Sequence, residues 1–381
     1  MLPYGRQTID DADIAAVIEV LRSPYLTCGP VVARFEQALA AKVGAAHASA
    51  CSSGTAALHL IYAALDIGPG DEIITTPITF SATAAAAYYV GAKVRFADVD
   101  ARTGTIDASS IEALIGPHTR AIVPVHLAGL PCDMDAIHAI AQRHGLAVVE
   151  DACHALGAMY RGTPTGGDKR TTATVFSFHP VKHVTTGEGG AVVVNDRALK
   201  RRIDRLRQHG IERDATYMDR PPAGPWAYEV AELGWNYRLS DLACALGISQ
   251  LTKLDEFVAR RRELAAAYRR SLRPEIAVPT EHVDRASAYH LFAIGVDWAR
   301  FGTTRARVAE QLAKDGVGTQ VHYIPLTEQP LHRRRCPTEI TPPGAARYYD
   351  RTLSLPMFPA MTSSDVADVV AKLHRVLGDP Q

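Results

Sequence analysis

The most chemically informative residue in the sequence is Lys182, which follows an apolar and aromatic run. It lies within Thr174 to Gly190, which reads TVFSFHPVKHVTTGEGG, between a predicted strand and a glycine-rich loop. Burial lowers the pKa of a lysine ammonium group, and the neutral amine then forms Schiff bases with carbonyl compounds. We therefore predict that Lys182 is a reactive amine placed just after a strand.

A second group of residues with chemical potential is Ser53-Gly54-Thr55, which ends one predicted strand and opens an alanine-rich helix. Backbone N–H groups at a helix start bind anions, the two hydroxyls add hydrogen bonds, and glycine permits close approach. These residues predict a phosphate site. An ordinary helix cap uses the same residue types, so the motif alone leaves both interpretations open.

Two acids, Glu150 and Asp151, directly follow the apolar run Val148-Val149. A carboxylate at the carboxyl end of a strand faces the crevice where open α/β sheets bind ligands. We expect Asp151 to keep a ring nitrogen protonated there, with Glu150 on the opposite face. A turn-capping role for Asp151 stays open. For His154, a histidine of the core or of a loop is the simpler interpretation.

Two further residues fit a flat, phosphorylated ligand. Phe80 lies between a predicted strand and a helix of small residues, where its ring could stack on an aromatic ligand, and the Ser177 hydroxyl could add to a phosphate site. Each also has a simpler interpretation, as a core phenylalanine and as a serine bonded to backbone. Together, the phosphate site, stacking ring, carboxylate, second hydroxyl and lysine match what pyridoxal phosphate requires.

Short apolar runs alternate with amphipathic helical patterns, which is typical of a mainly parallel sheet with crossover helices. We predict an α/β fold with a large domain over residues 1–250 and a smaller α+β domain over residues 251–381. In the second domain we expect a strand at 319–322 and a surface loop at 333–343. The predicted strands of the large domain are 47–51, 72–75, 93–97, 121–125, 147–150, 174–178 and 191–194.

Composition argues against several classes of function. The 41 basic and 41 acidic residues give no net charge, so no global field attracts nucleic acid or an anionic membrane. The six cysteines are far apart, without a CxxC pair, which is typical of reduced thiols and not of a disulfide framework or a cysteine metal site. No apolar segment is long enough to span a bilayer. We expect a cytoplasmic protein without nucleic-acid, membrane or metal partners.

Several segments resemble the signature blocks of the DegT/StrS-type sugar aminotransferases, fold type I enzymes that use pyridoxal phosphate. The resemblance covers nearly the whole chain, and within the family it is greatest to the PseC subgroup of pseudaminic acid biosynthesis. The family blocks are Ser53-Gly54-Thr55, Thr79-Phe80, 150–154 (EDACH), 176–182 (FSFHPVK), 187–190 (GEGG) and 234–239 (GWNYRL). The subgroup features are 26–30 (LTCGP), 73–80 (IITTPITF), 154–157 (HALG), 185–190 (TTGEGG) and 320–325 (QVHYIP).

The resemblance implies a role for each matched residue around the cofactor. Lys182 would form the Schiff base with pyridoxal phosphate and move protons during the transfer, and Asp151 would pair with the pyridine nitrogen. Phe80 would stack on the ring, and His154 would lie near the ring 3-oxygen. The phosphate would be held by Ser53, Gly54, Thr55 and Ser177.

The resemblance also implies a homodimer with shared active sites, in which Asn236 of each chain completes the cofactor phosphate site of the other. The nucleotide sugar would contact Asn236, an N-terminal group of residues and the strand expected at 319–322. The two sets are Tyr4, Pro24, Tyr25, Leu26 and Thr27, and Gln320, Val321, His322 and Tyr323. The arginines at 333–335 receive no substrate role.

The implied activity is an amino transfer in two stages. L-Glutamate would give up its amino group and leave as 2-oxoglutarate. The amine would then pass to C4 of a UDP-linked 4-keto-6-deoxy-N-acetylhexose, giving UDP-4-amino-4,6-dideoxy-N-acetyl-β-L-altrosamine. Three alternatives stay open: a dTDP-linked or D-configured UDP keto sugar, a dehydratase of the kind in which histidine replaces the lysine, and a regulatory relative without turnover. Lys182 argues against the dehydratase, and the complete cofactor set argues against the regulatory protein.

Overall fold

The computed structural model describes residues 1–336 and 340–379. Its α-helices are α1 (Asp11–Leu21), α2 (Pro30–Val43), α3 (Gly54–Ala64), α4 (Ala82–Tyr89), α5 (Met134–His144), α6 (Arg197–Leu206), α7 (Asp241–Thr252), α8 (Leu254–Ser271), α9 (Arg305–Lys314), α10 (Pro330–Arg335), α11 (Pro343–Arg351) and α12 (Ser363–Leu377). Its strands are β1 (His47–Cys51), β2 (Glu72–Thr75), β3 (Lys93–Phe96), β4 (Thr119–Ile122), β5 (Ala147–Asp151), β6 (Met159–Tyr160), β7 (Thr163–Pro164), β8 (Ala173–Ser177), β9 (Gly190–Val194), β10 (Ile211–Glu212), β11 (Glu229–Val230), β12 (Arg285–Ala286), β13 (Phe292–Gly295) and β14 (Thr352–Leu355).

Seven strands form one large sheet in the order β1, β9, β8, β5, β4, β2, β3. The strands from β8 to β3 are parallel to one another, whereas β9 is antiparallel to both of its neighbours, β8 and β1. The predicted α/β class and mainly parallel sheet are confirmed, and each of the seven strands overlaps its predicted segment. Parallel strands buried on both faces require nearly continuous apolar runs, which explains why these segments could be found in the sequence.

Alanine-rich helices cover the sheet beside the strand ends. Ala57 of α3 and Ala84 and Ala87 of α4 are fully buried, and α3 packs on both α4 and the sheet. Small side chains allow this close approach, so the first turns of the two helices lie next to the carboxyl ends of the strands. Among the residues that the structure describes, no helix combines the length and the apolar character needed to cross a membrane.

The start of β9 fixes how two of these strand ends meet. Gly190 is paired with Cys51 of β1 on one side and with Ser177 of β8 on the other. Because β9 is antiparallel to both strands, their carboxyl ends converge on this glycine. A Cβ atom at position 190 would lie 2.4 Å from the carbonyl carbon and oxygen of Ser53. Glycine is therefore required here, and the start of α3 lies directly against the start of β9.

A separate hydrophobic core lies in the C-terminal part of the chain. It is built from α8, α9 and α12 with the antiparallel pair of β13 and β14. The N-terminal segment joins this core, because Met357 donates its N–H to the carbonyl oxygen of Tyr4 at 3.0 Å and Leu2 donates to that of Gly316 at 2.8 Å. We propose that residues 1–250 and 251–381 are the two domains. The N-terminal segment around Leu2 and Tyr4 packs on the second domain.

Two predictions for the C-terminal half need correction. The strand expected at 319–322 is wrong: Gln320 makes one isolated bridge with Ser354, and its side chain then accepts the N–H of Val321 at 2.8 Å, which takes the place of the next ladder bond. The loop expected at 333–343 is wrong at both ends, because residues 333–335 end α10 and Pro343 begins α11. The part of that prediction at residues 337–339 lies outside the described residues.

Replacing Gly190 with alanine should lower the free energy of unfolding by about 1–3 kcal/mol, the usual cost of adding a methyl group to a well-packed site. Gly116→Ala is the matched control, because a Cβ atom there would meet no heavy atom within 4 Å. Chemical denaturation of both variants measures the difference. Equal free energies of unfolding for the two variants would show that the backbone around Gly190 can shift to accommodate a methyl group.

Candidate active site

A cavity of about 860 Å³ opens at the carboxyl ends of the strands and reaches as far as α10. Residues from seven separate segments of the chain line it, including those at the ends of β1, β2, β5 and β8. The lining includes these residues singled out in the sequence: Tyr4, Ser53, Gly54, Thr55, Phe80, Asp151, His154, Ser177, Lys182, Gln320, Val321, His322 and Tyr323.

Lys182 lies in a turn that follows β8. Its backbone N–H donates to the carbonyl oxygen of His179 at 2.8 Å, which closes the turn and aims the side chain at the cavity lining. Burial lowers the pKa of its ammonium group below the ordinary value, while the nearby Cys153 and Asp151 act in the opposite direction. The site therefore favours a neutral, nucleophilic amine more than water does.

The start of α3 has the geometry of an anion site. Ser53 caps the helix, since its Oγ accepts the N–H of Ala56 at 3.0 Å, so the helix-cap interpretation is correct for this side chain. The N–H groups of Gly54 and Thr55 belong to the first turn, where the helix offers no acceptor. A Cβ atom on Gly54 would lie 3.1 Å from Cβ of Ser177, which places that serine against the helix start.

Both oxygens of the buried Asp151 carboxylate accept hydrogen bonds. Oδ1 accepts the N–H of Cys153 at 3.2 Å, so the turn-capping interpretation is correct for this oxygen. Oδ2 accepts the hydroxyl of Thr83 at 2.7 Å, and Thr83 accepts in turn from Thr79 at 2.8 Å. Thr83 was not among the predicted site residues, although two threonines four residues apart at a helix start could have indicated a shared hydrogen-bond chain. The carboxylate is fixed where it lines the cavity.

Phe80 is not a core residue. Its side chain is 59% exposed in this single chain, and it lines the cavity. The centroid of its ring lies 6.2 Å from that of Tyr323. The two rings leave an open aromatic face, as stacking on a flat cofactor requires.

His154 is buried and its tautomer follows from its two hydrogen bonds. Nδ1 accepts the N–H of Ala128 at 3.4 Å, so Nε2 carries the proton and donates to the hydroxyl of Tyr323 at 3.2 Å. Burial, and then the charge of Lys182, lowers the pKa of His154 well below its ordinary value. Burial also raises the pKa of the Tyr323 phenol. Tyr323 therefore keeps its own proton and can donate it to a ligand.

His322 is a second neutral histidine of the cavity. Its Nδ1 lies 2.8 Å from the hydroxyl of Ser354, and its ring centroid is 5.4 Å from that of Tyr4. Burial, together with the charge of Lys182, lowers the pKa of His322 to about 3. The segment that ends at Tyr323 thus presents uncharged donors and acceptors, which suits hydroxyl and carbonyl groups of a sugar.

Two groups of predicted site residues do not reach this cavity. Asn236 and the segment Pro24–Thr27 are exposed on the surface and do not line it. The lining also contains residues without an assigned role. Glu188 stands inside the quoted GEGG block, whereas Gln329, Leu331 and His332 lie at the far end, where the sequence carries no recognisable pattern.

The charges around the cavity are unbalanced. In the described part of the chain, Lys182 is the only lysine or arginine in the lining, while Asp151 and Glu188 each contribute a carboxylate. A phosphate bound here would depend on backbone N–H groups and hydroxyls rather than on cationic side chains.

The residues present fit pyridoxal phosphate. The cofactor has a phosphate, a basic ring nitrogen and an aldehyde, and the same cavity holds a helix start with adjacent hydroxyls, a fixed carboxylate and an amine with a lowered pKa. We propose the phosphate site at Gly54, Thr55 and Ser177, the ring-nitrogen partner at Asp151, and the covalent attachment at Lys182.

Comparison with known proteins shows which family the chain belongs to. The model of the DegT/DnrJ/EryC1/StrS aminotransferase family matches residues 7–374. The chain is 42% identical over 382 residues to the spore coat polysaccharide biosynthesis protein SpsC of Bacillus subtilis, and the match covers 99% of this chain and 97% of SpsC.

Solved structures agree in fold. Helicobacter pylori PseC, an aminotransferase involved in the biosynthesis of pseudoaminic acid, superposes with a TM-score of 0.91 and 32% identity, over 99% of each chain. The putative sugar aminotransferase Spr1654 of Streptococcus pneumoniae, in its PMP form, gives a TM-score of 0.92 and 27% identity, also over 99% of each chain. These matches confirm the fold type I architecture and the pyridoxal phosphate cofactor. The chain belongs to the DegT/DnrJ/EryC1/StrS family and is a pyridoxal-phosphate-dependent sugar aminotransferase.

Proposed function

We propose that this aminotransferase moves an amino group from L-glutamate to C4 of a UDP-linked 4-keto-6-deoxy-N-acetylhexose. The product is UDP-4-amino-4,6-dideoxy-N-acetyl-β-L-altrosamine, and the enzyme acts in pseudaminic acid biosynthesis in the cytoplasm. The observation that carries the proposal is the cavity of about 860 Å³ around Lys182. Its volume lies near the upper end of the ~300–1,000 Å³ typical of small-ligand sites, so a nucleotide sugar fits beside the cofactor.

Bound pyridoxal phosphate supplies an aldehyde that exchanges amines and a ring that withdraws electrons from the bond to be broken. Neutral Lys182 removes a proton from the α-carbon of glutamate and later returns one at C4 of the sugar, which its lowered pKa favours. Asp151 keeps the ring nitrogen protonated through its fixed carboxylate. The Tyr323 hydroxyl accepts the hydrogen bond from His154, so its own proton remains available for donation to an oxygen of the sugar.

A second subunit is part of the proposal, because one chain lacks the charges that its ligands require. The cofactor phosphate, the nucleotide diphosphate and glutamate are all anions, yet the described lining contains Lys182 as its only basic side chain apart from histidines. Asn236 lies exposed beside Arg238 at the surface. We propose a homodimer in which each chain inserts Asn236 into the site of the other.

A second acceptor deserves testing because of one comparison. Identity to the spore coat protein SpsC is 42%, whereas identity to PseC is 32%, so a keto sugar other than the altrosamine precursor is the alternative acceptor. Purified enzyme should be given glutamate and a panel of UDP- and dTDP-linked 4-keto sugars of both configurations, with products identified by NMR. Amination of the UDP-linked L-arabino acceptor alone supports the first proposal, and preference for another acceptor replaces it.

Lys182→Ala should abolish transamination of every acceptor, because no other described lysine or arginine lines the cavity to move the proton. The wild-type protein should be yellow, and the variant should lack the visible absorption of lysine-bound cofactor. Cofactor uptake by wild-type apoenzyme should rise with pH and level off below the ordinary lysine pKa of about 10.4, because only the neutral amine attacks. Lys182→Arg serves as the charge-preserving control, and turnover retained in Lys182→Ala would refute the assignment.

Asp151→Asn should retain part of the cofactor but lose about 100-fold or more in turnover, since a neutral amide does not keep the ring nitrogen protonated; one lost electrostatic contact costs ~3 kcal/mol. Glu150→Gln is the matched control, because Glu150 faces away and bonds His126 at 2.9 Å. Stopped-flow measurement of both half-reactions tests the pair. Near wild-type rates in Asp151→Asn would leave Asp151 only its turn-capping role.

Mixing inactive Lys182→Ala with inactive Asn236→Asp should restore about a quarter of wild-type activity, because half of the dimers at random exchange are mixed and each has one intact site. Subunit exchange is verified by native mass spectrometry before the assay. Activity that stays at zero after confirmed exchange would mean that each site is built from a single chain.

A further inference from the structure

A buried carboxylate joins two surface segments that the active site leaves unused. Asp241, the first residue of α7, is 0% exposed, and its carboxylate accepts the backbone N–H groups of Gly29 at 2.8 Å and Val31 at 2.9 Å. Its own N–H donates to the carbonyl oxygen of Leu26 at 3.0 Å. These three hydrogen bonds tie the start of α7 to the start of α2.

The carboxylate replaces a missing helix cap. Helix α2 has Gly29 at its N-cap and no side-chain cap of its own, whereas Ser240 caps α7. Asp241 therefore lies at the positive ends of two helices, where a carboxylate is stabilised by both backbone dipoles. Its removal would uncap α2 and leave the cap of α7 in place.

The loop between α1 and α2 has one tightly packed conformation around this carboxylate. A Cβ atom on Gly29 would lie 2.5 Å from Cβ of Tyr25 and 2.7 Å from Oδ1 of Asp241. Cys28 has a φ of 57°, a region that residues other than glycine seldom adopt. The segment is held in place by Asp241 on its inner side and is exposed on its outer side.

The chain before each of the two helices carries predicted substrate contacts. Pro24–Thr27 precedes α2, and Asn236 precedes α7. The second segment is also held from inside, because Tyr237 accepts the N–H of Ser52 at 2.8 Å and its hydroxyl lies 3.2 Å from Nδ1 of His59. Both segments are fixed at their inner faces, open to solvent at their outer faces and absent from the lining of their own cavity.

An apolar stripe on the outer face of α1 continues this surface. Ile14, Ile18 and Leu21 are 50%, 40% and 56% exposed, at a spacing of four and three residues, and the stripe ends at Tyr25, which is 55% exposed. A row of apolar side chains that faces water favours burial against another surface. A second copy of this chain that accepts the adjoining Pro24–Thr27 segment would cover the stripe.

We propose that Asp241 is a positioning residue for the active site of the partner subunit. It holds Pro24–Thr27 and Asn236 as one rigid surface, which completes the sugar end of the cavity in a second copy of the chain. The inference rests on the proposed shared site. It adds that Pro24–Thr27 acts across the dimer and names the residue that keeps it in position.

Asp241→Asn tests the role of the carboxylate with almost no change in shape. The amide NH2 group of asparagine faces a backbone N–H, so one hydrogen bond to a charged group is lost. Because the Pro24–Thr27 segment is then held less firmly, the sugar KM should rise about tenfold. Cofactor content and the glutamate half-reaction should match wild type. Asp98→Asn is the matched control, because Asp98 likewise accepts backbone N–H groups from a distant helix start, those of Gly344 and Ala345, both at 2.9 Å, besides the N–H of Val99 at 2.7 Å. Asp98→Asn should lose stability without the rise in KM.

Mixed dimers show which subunit the residue serves. An excess of Lys182→Ala chains converts nearly all Asp241→Asn chains into mixed dimers. In a mixed dimer the site that retains Lys182 receives Pro24–Thr27 and Asn236 from the Lys182→Ala chain, in which Asp241 is intact. The sugar KM should then return to the wild-type value. Gly29→Ala, which disturbs the same contact from the other side, should behave in the same way.

The outcomes separate this inference from the function that it rests on. A sugar KM that stays raised in the mixed dimers, while Lys182→Ala and Asn236→Asp complement each other, would overturn the inference alone. A wild-type enzyme that completes the glutamate half-reaction but aminates no UDP- or dTDP-linked keto sugar would overturn both. Equal KM values for Asp241→Asn and Asp98→Asn would reduce Asp241 to an ordinary structural cap.

Discussion

The backbone of Ser53 passes Gly190 with no space for a side chain between them, and this contact sets the position of the proposed phosphate site. Gly190 pairs with Cys51 on one side and Ser177 on the other, so the antiparallel strand β9 brings two strand ends together. The start of α3 is held against one end, and the turn that carries Lys182 follows the other. The distance between phosphate site and amine is thus fixed by backbone pairing rather than by side chains.

The electrostatics of the cavity follow from its burial. Burial keeps His154, His322 and Tyr323 uncharged, and it lowers the pKa of Lys182. The cavity therefore holds few fixed positive charges for its anionic ligands. Backbone N–H groups at a helix start carry a permanent partial charge that burial does not remove, which makes α3 a suitable phosphate holder. The same shortage of charge in a single chain is the basis of the shared site that we propose.

The sequence predicted the parts of the site that depend on local order. Lys182 and Ser53-Gly54-Thr55 follow buried strands and Asp151 ends one, and a strand with an apolar run can be recognised without its neighbours. Interactions between distant segments could not be predicted. Thr83 bonds Asp151 across 68 residues, and Gly29 bonds Asp241 across 212. The strand predicted at 319–322 is absent for a related reason. The sequence pattern does not show that the Gln320 side chain accepts the N–H of Val321, which a neighbouring strand would otherwise accept.

Helix starts serve two purposes in this molecule, and the difference lies in what the anion is. At α3 the first-turn N–H groups open into a cavity, so the negative charge must come from a ligand. At α2 and α7 the negative group is Asp241, part of the chain and closed off from solvent. The Asp241 carboxylate belongs to the chain and cannot exchange with a ligand. It therefore holds the starts of α2 and α7 together and leaves no anion site there. This contact lies between the exposed segment Pro24–Thr27 and the segment that carries Asn236. A rigid connection is needed because, in the proposed dimer, the partner subunit contacts both segments at once.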